Sequence, residues 1–256
     1  MSFAVAADAY DRFMGRYSVP LAAPFVEFAG IANEQQVLDV GCGPGALTAE
    51  LVERLGPSAV SAVDPSESFV TAARERFPEV TVRRASAEDL PFPADTFDAA
   101  LAQLVVHFMD DPVAGLREMA RVTREGGVVA ACVWDHAGGK GPLSPFWEAA
   151  REISSEVEDE SELPGTREHH LGELFRAAGL DDVEEDAVSV EVEHATFEDW
   201  WEPYTLGVGP AGGYVAALDP ERLDELRERC RDRLPDAPFV LSARAWAARG
   251  RAGAAG

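Results

Sequence analysis

From residue 36 to about residue 133, short apolar runs alternate with runs of helical spacing, and that rhythm leaves few folds open. "QVLDV" reads as a strand, "ALTAELVERL" puts Leu47, Leu51 and Leu55 on one helical face, and "AVSAVD" reads as the next strand. Ser66 is placed to cap a helix carrying Phe69, Val70, Ala73 and Phe77 inward; "VTVRRA" and "FDAALAQLVV" then read as the third and fourth strands. Asp111 and Pro112 form an N-cap and first-turn pair for a helix with Leu116 and Met119 inward. Gly126 and Gly127 end its connection to a fifth strand, "VVAACVW". Repeated strand–helix units predict a parallel sheet covered on both faces, with ligands beyond the carboxyl ends of its strands.

Past Trp134 the rhythm changes. "DHAGGKGPLSP" reads as a loop, Phe146, Ala150, Ile153 and Val157 fall at helical spacing, and "VEDESELPG" is an acidic break. Thr166 is placed to start a helix bearing Leu171, Leu174, Phe175 and Ala178, closed by Gly179. "DDVEEDAVSVEVEHA" alternates like a half-buried strand and "FVLSARAWAARG" reads as the last one. Between them, residues 197–235 hold an aromatic, glycine-rich segment. Plain connections run to about 4 to 6 residues, so this one is expected to be a cap over a site. The tail "RAGAAG" reads as disordered.

Composition excludes several functions. The 256 residues are 46% hydrophobic, enough for a large core. Asp and Glu outnumber Lys and Arg 46 to 22, a net charge of −24, and no basic cluster offsets it, so a nonspecific grip on nucleic acid is not expected. Cys42, Cys132 and Cys230 lack the spacing of a disulfide framework or a metal site. Neither a signal peptide nor a run of about eighteen apolar residues is present. A cytoplasmic protein is expected, off the membrane, monomeric or homodimeric, with a small-molecule partner.

The loop "GCGPGA" joins the first strand to the first helix. Glycines there let a ligand approach the backbone, and the helix start offers unpaired N–H groups. Its pattern also satisfies the dinucleotide fingerprint, so a nicotinamide cofactor and an adenosyl ligand both remain open. Asp39, two residues before the loop, would repel a pyrophosphate and suits an ammonium or sulfonium ligand. Asp64, nineteen residues beyond Gly45, stands where a carboxylate accepts from ribose hydroxyls under either reading. "ASAEDLPFP" brings Ala87 and Glu88 to the end of the third strand, within reach of an adenine edge.

"VLDVGCGPG", "VDPSESF", "ASAEDLPFPADTFDAALAQLVVHFMDDP" and "EMARVTREGG" resemble, in order, the motifs of class I S-adenosylmethionine-dependent methyltransferases, above all the branch similar to quinone-biosynthesis C-methyltransferases. "AYDRFMGRYS" resembles the N-terminal segment of that branch. The resemblance implies an α/β, doubly wound, Rossmann-like sheet of seven strands with the last antiparallel, and S-adenosylmethionine as cofactor, leaving as S-adenosylhomocysteine. It implies an N-terminal helical segment over residues 1–35, a core over 36–196 and 236–250, and the cap over 197–235. Gly41 and Gly43 would line the methionine and ribose portion and Asp64 would hold the ribose. Pro65 and Phe69 would flank the adenine, with Ala87 and Glu88 at its edge. Gln103 would offer its backbone near the methionine amino group. Tyr10 and Arg16 would close over the methionine end, Arg16 facing its carboxylate. Many relatives carry Asp where this chain has Ser86, so the adenine contact either falls to Glu88 or weakens.

A sulfonium methyl is a strong electrophile, so the expected reaction is direct in-line displacement by an aligned small acceptor, apolar or aromatic, with no nucleophilic Ser or Cys. Cys42 reads as a small packed residue. His107, in "LVVHF", is the histidine at a strand's carboxyl end and a candidate base or a packed, pocket-shaping residue; His136, His169, His170 and His194 read as surface or boundary residues. Trp147, Trp200, Trp201, Tyr204 and Tyr214 line a substrate chamber or form the core of the cap. Two rival functions remain: a nicotinamide-dependent oxidoreductase, and a non-catalytic S-adenosylmethionine-binding protein.

Overall fold

The computed structural model describes residues 7–154 and 157–253. The chain enters through α1 (Ala7–Tyr10), a π-helical turn at Asp11–Gly15, and α2 (Arg16–Ala29). Pro20 and Pro24 each remove a backbone donor from α2, and the complete burial of Leu21, Phe25 and Val26 offsets that loss, at about 1.5 to 3 kcal/mol per large side chain. Residues 1–6 of the expected N-terminal segment lie outside the described residues.

The alternating stretch folds as its periodicity predicts. β1 (Val37–Val40), α3 (Ala46–Leu55), β2 (Val60–Asp64), α4 (Glu67–Arg76), β3 (Thr81–Arg84), β4 (Phe97–Gln103), α5 (Pro112–Val122) and β5 (Thr123–Trp134) follow in order. Asp111 caps α5 by accepting from the N–H groups of Val113 and Ala114, an arrangement of about 1 kcal/mol. Two boundaries differ from the sequence reading. β4 stops at Gln103, because Leu104 turns into the left-handed region at φ 63, and Val105 starts a 3₁₀ turn instead of extending the strand. Gly126 and Gly127 lie inside β5, where the register against β4 jumps from Thr123 to Val128 and Gly126 takes φ 73 in the bulge.

The second half adds α6 (Ser144–Ile153), α7 (His170–Ala177), β6 (Asp181–His194), α8 (Phe197–Trp201), α9 (Gly209–Ala217), α10 (Pro220–Arg233) and β7 (Phe239–Arg251). The helix expected from Thr166 begins four residues later, since the Thr166 hydroxyl donates back to the carbonyls of Ser161 and Leu163 and is held in the preceding turn. The tail expected to be disordered is ordered through Gly253: Arg251 is in β7 and Ala252 exchanges backbone bonds with Gly126 and Gly127. Residues 254–256 lie outside the described residues.

The seven strands form one sheet in the order β3-β2-β1-β4-β5-β7-β6, with β7 antiparallel to both neighbours. The expected doubly wound, Rossmann-like class is therefore observed. Strand order reverses between β1 and β4, and a crevice opens there at the strands' carboxyl ends.

Residues 197–235 pack as helices on the sheet's α6 side. Phe146 of α6 stacks on Tyr204 at 4.5 Å between ring centroids, Trp200 and Tyr204 sit 4.8 Å apart, and Leu226 and Cys230 of α10 are fully buried. Arg229 and Arg233 pair with Glu152 and Glu148 of α6, each at 3.7 Å. Trp200, Trp201 and Tyr204 are thus core of this insertion, with Tyr214 half-buried at its edge. Among the described residues no helix is long and apolar enough to cross a membrane.

Candidate active site

At the crevice lies a cavity of about 470 Å³. Its floor is the loop after β1. Gly41 takes φ 73, and a Cβ there would stand 2.5 Å from the Val105 side chain, so neither conformation nor space admits another residue. Gly43 differs: a Cβ would meet nothing within 4 Å, because its open side is the cavity itself. The backbone N–H groups of Gly41 and Cys42 donate to Val63 at 2.8 and 2.9 Å, which ties the loop to β2. Cys42 is buried, and burial pushes its thiol well above the usual range, fitting a packed residue.

Asp64 closes β2 on the cavity wall. Its Oδ2 accepts from Gly43 at 2.9 Å and its Oδ1 from Ser66 at 2.8 Å, so the carboxylate is fixed in place while each oxygen keeps a lone pair for a ligand. Pro65, Phe69, Ala87 and Glu88 line the same wall. Phe69 meets Tyr10 edge to face at 5.2 Å, which brings the N-terminal segment over the cavity. Burial raises the Tyr10 phenol to about 12, so it stays protonated and able to donate. Glu88 also holds the chain before α5, its Oε1 accepting from Asp110 and Asp111 at 3.0 and 3.4 Å.

Asp39 is buried and opens on a small recess behind the loop, which shares Tyr10, Gly41, Gly43 and Gln103 with the cavity wall. Burial, with Asp64 adding repulsion, raises its carboxyl to about 7; the 2.6 Å bond from the Thr48 hydroxyl pulls the other way. A cation in the recess is favoured by the ionised form. Affinity for a cationic ligand is therefore expected to rise with pH up to about 7, by at most roughly tenfold per pH unit, one proton being released per ligand. Calorimetric titration of S-adenosylmethionine across that range checks it, with Asp39→Asn expected to lose most of the slope.

Arg16 stands elsewhere. It does not line the cavity; its guanidinium bonds Asp199 and, at 2.9 Å, His194 Nδ1, joining α2 to α8. Its expected contact with a ligand carboxylate is corrected on that ground: the charge is already matched within the protein. Gln103 lines the cavity, while its side-chain amide donates to the Ser18 carbonyl at 2.9 Å and braces α2.

His107 also lines the cavity, from the 3₁₀ turn after Leu104. It is buried, its Nδ1 has no partner among the described residues, and burial holds its pKa well below the usual value, with His136 at 6.1 Å opposing a second positive charge. Beyond it a narrower chamber of about 40 Å³ continues between the N-terminal segment and residues 208–210, with His136 and Glu160 in its wall. His136 and His194, expected from sequence at the surface or a boundary, are buried, and burial lowers both to about 4. Thr48, Leu104 and Glu160 escaped the sequence reading. A hydroxyl in the first turn of α3 was a usable sign for Thr48; nothing local marks the other two.

The sheet order, the glycine loop at its switch point and the two strand-end carboxylates are together those that the resemblance to class I S-adenosylmethionine-dependent methyltransferases implies. Residues 38–131 match the methyltransferase domain family, so the resemblance read from the motifs holds. A 2-methyl-6-phytyl-1,4-hydroquinone methyltransferase of Oryza sativa subsp. japonica is 37% identical over 155 residues, 59% of this chain and 40% of that protein. The chain spans about half the length, or less, of the curated relatives it matches most strongly. Among solved structures, the YcgJ protein of Bacillus subtilis superposes with a TM-score of 0.60 at 17% identity, over 92% of this chain and 99% of that one. A Haemonchus contortus phosphoethanolamine N-methyltransferase, solved with S-adenosylhomocysteine, gives 0.59 at 17% identity, over 96% and 56%. S-Adenosylmethionine is the cofactor of such a domain, and the residues here fit it: an open space at Gly43, a fixed carboxylate at Asp64 and a buried carboxyl at Asp39.

Proposed function

We propose that this protein transfers the methyl group of S-adenosylmethionine to a small acceptor with an apolar or aromatic body, by direct in-line displacement. One observation supports this above the others: a buried carboxyl, Asp39, in the recess behind the glycine loop, with a second, Asp64, held by two backbone N–H groups on the wall of the adjoining cavity. That pairing suits a ligand with a ribose and positive charge and disfavours a pyrophosphate.

When bound, the cofactor supplies a methyl group that is already strongly electrophilic. Asp64 and Glu88 hold and orient the nucleoside, with Phe69 packing on it, while Gly41, Gly43 and the Gln103 backbone surround the amino-acid portion. Tyr10 closes over the site and excludes water. Leu104 and His107 stand where the cavity meets the chamber, so an acceptor in the chamber faces the methyl group. Alignment of this sort contributes roughly 7 to 11 kcal/mol. Residues 197–235 serve as a cap over the acceptor, with Gly207 and Gly209, both left-handed, as its hinges. The hydroquinone of the rice relative is an acceptor of the expected kind. The protein acts as a monomer or homodimer in the cytoplasm.

Calorimetry tests the reading. S-Adenosylmethionine and S-adenosylhomocysteine are expected to bind at micromolar affinity, on the order of −8 kcal/mol, and NAD far more weakly. Tighter binding of NAD overturns it in favour of an oxidoreductase; tight cofactor binding with no methylated product across phenols, quinones and amines overturns it in favour of a non-catalytic binder.

A further inference from the structure

The acceptor chamber holds a chemical asymmetry that bears on what enters it; only the chamber's role as the acceptor's place rests on the methyltransferase reading. Glu160 is 4% exposed and lies in the wall. Its Oε2 accepts a 2.7 Å bond from the indole N–H of Trp147, and among the described residues no basic side chain pairs with it. The nearby Arg151 is held by Asp159 instead. The two histidines of the wall supply no positive charge either, since burial keeps both neutral at ordinary pH. A buried carboxylate whose donors, the Trp147 indole and its own backbone N–H, are all neutral is costly unless a cation reaches it, and this one is raised to about 7 by burial, with Asp159 adding repulsion.

The remaining walls favour the same kind of guest. Phe13, Phe108 and Trp134 present aromatic rings to the chamber. Ring faces attract ammonium groups, the more strongly where water is excluded. An anionic head would find no cation and would meet Glu160.

We propose that Glu160, oriented by Trp147, is the recognition group for the acceptor, and that the acceptor is an amine whose ammonium sits against Glu160 among these rings, with an apolar body. The chamber is narrow, so entry of such a body requires residues 208–210, Val208 and the first residues of α9, to move aside from the left-handed Gly207.

Three probes of matched shape test this: 2-phenylethylamine, 2-phenylethanol and 3-phenylpropionate, titrated calorimetrically into the full chain with and without saturating S-adenosylhomocysteine. The amine is expected to bind at least tenfold more tightly than the acid, with the alcohol between them. Glu160→Gln is expected to weaken the amine at least tenfold while leaving the alcohol and S-adenosylhomocysteine within about twofold. The inference is overturned if the acid binds as tightly as the amine, if the variant keeps the amine preference, or if no probe binds. The ratio in the native protein decides the matter even if the variant fails to fold. Failure of S-adenosylhomocysteine to bind, with the amine preference intact, would sink the methyltransferase reading and leave the Glu160 site standing.

Discussion

Replacing Asp64 with alanine is expected to weaken S-adenosylmethionine binding at least tenfold, the largest loss of affinity available from one side chain in this cavity. The carboxylate is held on both oxygens by backbone N–H groups, from Gly43 and Ser66, so its direction is set before any ligand arrives. A ribose diol then meets two acceptors that need no reorganisation. Hydrogen bonds to a charged group contribute about 1.5 to 3 kcal/mol each, so losing both corresponds to roughly 10² to 10⁴ in dissociation constant and losing one to roughly 10 to 10². Asp64→Asn keeps the shape and one acceptor and is expected to fall between native and alanine. The readout is calorimetric affinity in variants whose thermal unfolding shows a folded chain. An unchanged affinity in folded Asp64→Ala would return Asp64 to bracing the glycine loop.

Asp64 also marks what a sequence can reveal about such a site. Its position follows from chain order alone: it is the last residue of an apolar strand, at the carboxyl edge where the crevice opens. Asp39, the glycine loop and the run from Ala87 to Glu88 are legible for the same reason, each lying at the end of a strand that its own neighbours predict. Features that depend on distant segments meeting are not. Arg16 looks, in sequence, like a ligand-facing cation, yet its partners Asp199 and His194 lie nearly two hundred residues away, and Asp199 matches its charge within the protein. His136 and Glu160 sit in a loop and an acidic break, where spacing carries no sign of burial. They become a chamber wall only because α6 and residues 208–210 fold over them. Boundaries failed where one residue left the regular geometry: Leu104 at φ 63 ends β4 early, and Gly126 at φ 73 carries β5 through a bulge that reads as a turn. Leu104 stands at the junction of cavity and chamber, and a non-glycine residue held left-handed at such a place is strain of the kind found at functional sites.

That junction is also where His107 stands, and its substitution is expected to have the largest effect on turnover. His107→Gln should leave cofactor affinity within about twofold and lower turnover by about 10², the usual scale of general-base catalysis. The imidazole is buried with an unpartnered Nδ1, and burial together with His136 keeps it neutral, hence ready to accept a proton throughout the physiological range. A lowered pKa makes it a weak base, but a weak base suffices. As the methyl group reaches an acceptor, the positive charge moves with it, and the acceptor's own proton becomes far more acidic than in the free molecule. A histidine lowered well below its usual value is protonated only in acid, so turnover should show no inflection from this group near pH 6.5 and should fall only at distinctly lower pH. Rates at saturating acceptor, measured from acid to neutral pH in native and variant protein, decide it. Near-full turnover in His107→Gln, with the acid fall unchanged, would leave His107 a packing residue and catalysis to alignment alone.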